Sequence, residues 1–355
     1  MATTSYGVND ALAVKLWSKK LMAEVLKAPW ASRFFGRTSG SLIQIKDETS
    51  KSAGDKITFG LRMQLSGGGV QGDGSLEGNE ESLTTYSDSL LIDQLRHAVR
   101  AAGRMSQQRV PFSVRQEAMD GLKDWWADRI DASFFNHACG NTAQTDTRYT
   151  GNQATVAPSS GNIVRAGAVA NDQSLGSTNV FDLTLIDKAV EKAKTLSPAI
   201  RPVKVGGKDY FVAFLHPYQV TSLRTNTSDG QWQDIQKAAM AGGVTKDNPI
   251  FDGSLGVYNG TILHESTRVT LGCDSSTATT AVANTRRAVL CGAQAAVVGF
   301  GRENGPNNFT WVEELFDYEN QLGVAAGTIF GLKKTIFNSA DFATVVMSTY
   351  AAAAS

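Results

Sequence analysis

Between residues 10 and 28, Ala13, Trp17, Leu21 and Val25 recur every four positions among Lys15, Lys19, Lys20 and Lys27. That spacing predicts an amphipathic helix, which Pro29 ends. Asp10 and Glu24 within it count against a mitochondrial presequence. Arg33–Gly36 then reads as an exposed aromatic knot around Phe34 and Phe35. Ile57, Phe59, Leu61, Met63 and Leu65 alternate with polar or small residues, a period of two that predicts a strand. A Gly-rich acidic stretch follows from Ser66 to Ser82, and Leu83–Ile92 is strand-like again, so the two runs form a hairpin. Its arms would reach about 30 Å, and a ribbon that long needs a surface to lie on, such as a second copy. Leu91, Leu95 and Val99 fit either a strand or a helix.

The strongest helix spans residues 113–139. Val114, Ala118, Leu122, Trp126, Ile130, Phe134 and Ala138 repeat every four positions, with a capping box from Ser113 and Gln116 and Gly140 just past the end. A strict four-residue repeat drifts against the 3.6-residue turn, so different partners must cover this helix along its length. Residues 141–179 are polar and without period, which reads as a long functional or flexible loop. Asp182 opens a helix to about Leu196, Tyr210–Leu215 is a buried-type strand, and Pro217 suits the first turn of another helix. A short helix is expected around Trp232–Met240. Beyond it, strand candidates lie at Gly260–His264, Arg287–Cys291, Ala295–Phe300, Ala325–Ile329 and Thr344–Thr349. Helices and strands mix without regular alternation, which favours an α+β fold.

Composition narrows the function classes. The 355 residues carry 34 Lys+Arg against 34 Asp+Glu, with 19% charged and 42% apolar. That is enough apolar material for a large core and too much for disorder. No run approaches the ~20 apolar residues of a membrane span. Three separated cysteines and no secretory signal fit a protein kept in a reducing cytoplasm. The zero net charge argues against electrostatic gripping of nucleic acid, but it is a sum of opposed blocks. Residues 1–60 hold nine Lys/Arg against five acids, 63–95 hold six acids and no base, and 96–116 hold five Arg and no acid.

Chemistry finds little foothold. Gly67, Gly69 and Gly72 match the dinucleotide fingerprint after a strand, but no helical pattern follows, and Asp73, Glu77, Glu80 and Glu81 would repel a pyrophosphate. Those four acids miss the spacing of a calcium loop. His97, His137, His216 and His264 stand apart at no metal-ligand spacing. His216, before Pro217, reads as a strand-end or helix-cap residue rather than a catalytic base. No catalytic residue, cofactor or metal is therefore expected. Arg96, Arg100, Arg104, Arg109 and Arg115 suit phosphate contact, a solvated face, or a docking site for a neighbour's carboxylates.

Longer strings carry a resemblance. The stretch Ala53-Gly-Asp-Lys-Ile-Thr-Phe-Gly-Leu-Arg-Met-Gln-Leu-Ser66 resembles the N4-like family of tailed-phage major capsid proteins, which have an HK97-like fold. So do Leu76-Glu-Gly-Asn-Glu-Glu81, Ile92-Asp-Gln-Leu-Arg-His-Ala-Val-Arg100, Gln108-Arg-Val-Pro111 and Asp124-Trp-Trp-Ala-Asp-Arg-Ile-Asp131. Over residues 181–350 the likeness rests on shorter pieces, such as Phe214-Leu-His-Pro-Tyr218 and Gly256-Val-Tyr-Asn-Gly260. The segment 141–179 contributes no recognised string to the resemblance, and its role stays open.

The resemblance implies a structural subunit that assembles as hexamers and pentamers into an icosahedral shell around double-stranded DNA. It would be built in the host bacterial cytoplasm and would serve no membrane role. Residues 1–50 would form an N-terminal arm and 51–100 an extended loop overlapping a neighbour. Residues 101–179 and 312–355 would form a peripheral domain around the long helix, and 180–311 an axial domain. Expected partners are further copies, a separate scaffolding protein, a portal and a decoration protein. Some relatives cross-link the loop through a Lys–Asn bond; here no Lys lies between Lys56 and Lys123, so a non-covalent shell is expected. The alternatives are a tail-tube or adhesin subunit, which should lack the long helix, and a nucleotide-binding enzyme. Subunit contacts are expected at Trp17, Phe34 and Phe35, and between the acidic tip (Asp73, Glu77, Glu80, Glu81) and the arginine run from Arg96 to Arg115.

Overall fold

The computed structural model describes residues 31–46, 54–109, 113–226, 254–277, 279–302, 304 and 309–353. The helices expected at 10–28, with Trp17, and at 232–240 lie outside the described residues. Two sheets and one long helix make the body. The first sheet runs Phe35–Gly36, Ile43–Lys46, Ala296–Phe300, Gln321–Lys334 and Thr310–Phe316, with Asp93–Arg100 also paired to the long strand Gln321–Lys334. The second runs Ile163–Arg165, Thr344–Tyr350, Thr285–Cys291, Lys208–Leu215, Thr261–Glu265 and Ser254–Tyr258, with Val203–Val205 beside Lys208–Leu215. Ala296–Phe300 thus lies in the first sheet and Thr344–Tyr350 in the second.

The helix Val114–Ala138 joins them. At 25 residues it is about 37 Å long. Its N-terminal half meets the first sheet, with Trp126 edge-on to Phe309 at 4.9 Å and Phe330 at 6.0 Å. Its C-terminal half meets the second, with Phe134 and Phe135 on Phe214 at 5.8 and 5.4 Å. The winding four-residue stripe thus finds a different cover at each end. Only half of the expected capping box forms: the Ser113 hydroxyl accepts from Gln116 N at 3.4 Å, while the Gln116 amide turns forward to Asp120. At the other end Gly140 takes φ 64°, and a Cβ there would meet Pro158 Cδ at 2.5 Å.

Strands 43–46, 163–165, 203–205, 254–258 and 310–316 are among those that escaped the sequence pattern. In Thr310–Phe316 the inward positions are Trp311 and Glu313, so a buried carboxylate hides the alternation. Arg115 supplies its counter-charge, donating from Nε at 2.8 Å and Nη2 at 2.6 Å. Asp93–Arg100, open to either reading, is a strand whose Leu95 and Val99 pack on the core.

The polar segment 141–179 is not a loose loop. Its side chains bond to backbone from distant parts of the chain, which leaves no periodicity to read. Asn162 Nδ2 donates to the Asp341 and Thr344 carbonyls at 3.0 and 2.8 Å, and Asn152 Nδ2 to the Phe330 carbonyl at 2.8 Å. Asp172 is fully buried and accepts from Arg165 Nε and Arg287 Nε, both at 2.8 Å. Arg287 also donates to the Gly140 carbonyl at 2.7 Å, closing the end of the long helix. His216, as expected, caps a helix, Pro217–Thr225, in a reciprocal box with Gln219.

Two expected outcomes follow from these buried polar groups. Asp172→Ala strands the Arg287 guanidinium, which is 5% exposed, and should cost about 3–5 kcal/mol in denaturant unfolding. His137, buried with Nε2 donating to the Thr150 carbonyl at 2.8 Å, has its pKa pulled down to about 4 by burial, with Lys334 and Lys333 adding to the effect. Because the unfolded chain binds this proton near the ordinary 6.5, stability should fall as pH drops from about 6.5 to about 4. The limiting loss is about 3 kcal/mol. His137→Gln should flatten that slope in denaturation curves taken across the window.

Candidate assembly surfaces

The hairpin stands apart from the main core. Lys56–Arg62 pairs antiparallel with Thr85–Leu91, in register from Lys56↔Leu91 to Arg62↔Thr85. These arms span about 23 Å, less than the alternation suggested, because pairing stops where the Gly-rich tip begins. A small cluster of Ile57, Leu90 and Val297 seats the base, with Phe59 edge-on to Phe337 at 5.9 Å. Lys333 Nζ lies 2.6 Å from Asp88 Oδ1. Residues 63–84 then project with little cover, and Leu65, Leu76 and Leu83 are 58%, 62% and 57% exposed.

The four tip acids divide into two kinds. Glu81 turns back across the tip and accepts from Ser66 N at 2.8 Å and Gly67 N at 2.7 Å. Those backbone N–H groups hold its carboxyl below the usual range. Glu80 accepts from Gly78 N at 2.8 Å. Glu80 and Glu81 thus shape the tip, whereas among the described residues the Asp73 and Glu77 carboxylates have no partner. No helix starts after Gly72, so the glycine fingerprint sits in an exposed turn.

The arginine run does not form one patch. Arg96 and Arg100 lie on the open side of Asp93–Arg100, opposite Leu95, Val99 and His97, and His97 stacks on Trp125 at 4.6 Å. The Arg100 guanidinium sits 4.2 Å over the Phe316 ring. Arg104 stands 3.7 Å from exposed Glu319, and Arg109 ends the short helix Arg104–Arg109. Arg115 is committed within the chain to Glu313, whose side chain is 1% exposed. Phe34 also departs from expectation. It is 6% exposed and packs edge-on to Phe214 at 5.5 Å and His264 at 6.0 Å, while Phe35 is half-buried on the same core. The apolar body beneath the aromatic pair removes it from solvent.

One surface had no sequence signal. An open hollow of about 470 Å³ lies between the C-terminal half of the long helix, the turns at 141–149 and the loop at 267–271. Its lining comes from distant segments, so no local spacing could mark it. Among the described residues no group of three His, Cys, Asp or Glu side chains could hold a metal, and no helix is long and apolar enough to cross a membrane. Cys139, Cys273 and Cys291 are buried and free, and burial pushes the Cys139 and Cys291 thiols up. Glu81→Ala should release the tip's own clasp: amide exchange should quicken at Ser66 and Gly67 and stay unchanged in the two sheets, read by hydrogen–deuterium exchange.

Comparison with known proteins agrees with this architecture. A family profile described as phage capsid protein matches residues 5–353. The major capsid protein of Pseudomonas phage KPP25 is 29% identical over 373 residues, covering 95% of this chain and 94% of that protein. The capsid of Ralstonia phage GP4 superposes with a TM-score of 0.80 at 34% identity, over 100% of both chains. The cyanophage Pam1 capsid shares the fold, with a TM-score of 0.70 at 20% identity over 93% of this chain and 94% of that one. The fold is therefore the α+β, HK97-like capsid fold. With a matching profile over nearly its whole length and a full-length relative above 30% identity, the chain belongs to the phage capsid protein family.

Proposed function

We propose that this chain is the major capsid protein of a tailed phage, with copies grouped as hexamers and pentamers in an icosahedral shell around double-stranded DNA. The observation that carries the reading is the projecting hairpin. Its tip exposes three leucines and two carboxylates that no other described residue of the chain covers or pairs. A closed shell supplies that cover by symmetry, since each copy offers the same tip to a neighbour. Many modest contacts repeated in this way give a strong assembly without any one contact being strong.

In this reading residues 51–100 are the extended loop, the long helix is the spine of a peripheral domain, and residues 180–311 lie nearer the capsomer axis. Residues 1–50 form the arm. Assembly takes place in the host cytoplasm with a separate scaffolding protein, a portal and a decoration protein as partners. The shell is non-covalent, because the hairpin tip has no lysine to offer.

Negative-stain microscopy of the purified protein tests the main statement. Closed shells are the expected result, whereas tubes or dispersed monomers under assembly-promoting conditions would refute it. Mature particles should run as a single monomer band on denaturing gels, and a ladder of covalent multimers would overturn the non-covalent shell.

A further inference from the structure

We propose that the hollow beside the long helix receives the Leu76–Glu77 corner of a hairpin tip from a neighbouring copy of this chain. The inference rests on the assembly reading above and assigns a receptor to the projecting tip.

The hollow is positive and partly apolar. Arg268 and Arg286 line it, and no Asp or Glu does. Arg268 is paired with Asp128, but Arg286 meets no carboxylate among the described residues. The Arg286 Nε is buried without a hydrogen-bond partner, and the guanidinium lies 5.6 Å from the Tyr218 ring. Behind the wall Arg129 sits 3.6 Å over the ring of Tyr149, which lines the hollow; its Nε and Nη1 have no hydrogen-bond partner, and its charge is felt by Asp146. Arg286 is half-buried with its Nε out of water and no carboxylate beside it among the described residues, a cost that an incoming anion offsets. Ala132, Ala143, Val269 and Leu271 supply an apolar wall next to the charge.

The occupant has to bring a carboxylate and an apolar side chain together on a projecting feature. The tip places Leu76, 62% exposed, directly before Glu77, whose carboxylate has no partner among the described residues. Glu80 and Glu81 are engaged in the tip's own backbone, which leaves Glu77 and Asp73 to face outward. The alternative receptor, the arginine run, is already partly satisfied: Arg115 by Glu313, Arg104 by Glu319 and Arg100 by the Phe316 ring. Charge complementarity therefore favours the hollow.

Cysteine pairs in assembled shells test the assignment. Leu76→Cys combined with Ala143→Cys should give dimers and higher multimers on non-reducing gels that collapse on reduction. Leu76→Cys alone should stay monomeric, because the native cysteines are buried. Intact shells without multimers from the pair would overturn the assignment, as would multimers formed instead by Leu76→Cys with Ala102→Cys beside the arginine run. Charge exchange gives an independent measurement: Glu77→Arg should cut shell yield about tenfold, and adding Arg286→Glu should restore it. Failure of that rescue while each variant stays folded by circular dichroism also counts against the site. Absence of shells from the unaltered protein would instead fell the assembly reading and this receptor with it.

Discussion

One buried ion pair decides how the parts of this subunit meet. Arg287, in the second sheet, reaches both Asp172 and the carbonyls that end the long helix. Those carbonyls have no partner within the helix, and the helix dipole makes them the natural seat of a cation. The guanidinium in turn needs a carboxylate, which Asp172 brings from the polar segment. A single side chain thus ties helix, sheet and connecting segment into one unit, and each of the three makes the others' buried polar groups tolerable.

The hairpin follows the opposite rule. Its base rests on three buried apolar side chains and the Asp88–Lys333 pair, and its tip is organised by its own carboxylates. Little of the free energy that holds the body extends into it, so the tip can be rearranged without unfolding the sheets. A subunit that meets several kinds of neighbour in one shell needs a rigid body and a compliant projection, and the distribution of buried contacts provides both.

Charge balance takes on meaning in the same frame. The acidic block is the hairpin, the basic block is the strand and short helix that leave it, and the whole sums to zero. Several of those charges are spent inside the chain, as with Arg115 and Glu313, so a count of blocks overstates what a neighbour meets. Arg286, which meets no carboxylate among the described residues, lies outside both blocks.

Elements with a local cause were legible along the chain. The alternation from Ile57 to Leu61, the four-residue stripe of the long helix, Gly140 beyond its end and Asp182 and His216 at helix starts each state their own conformation through side-chain spacing or capping. The long family-like strings were legible for the same reason, since they are runs of neighbours. Tertiary structure alone decided what depends on distant partners. Glu313 looks solvent-exposed in sequence until Arg115 arrives from 198 residues away. Phe34 looks like a contact residue until Phe214 covers it, and residues 141–179 look mobile until Asp341, Thr344, Phe330 and Arg287 claim their side chains. Burial and pairing are properties of the closed fold, and no periodicity along the chain encodes which residues will share a dry interior.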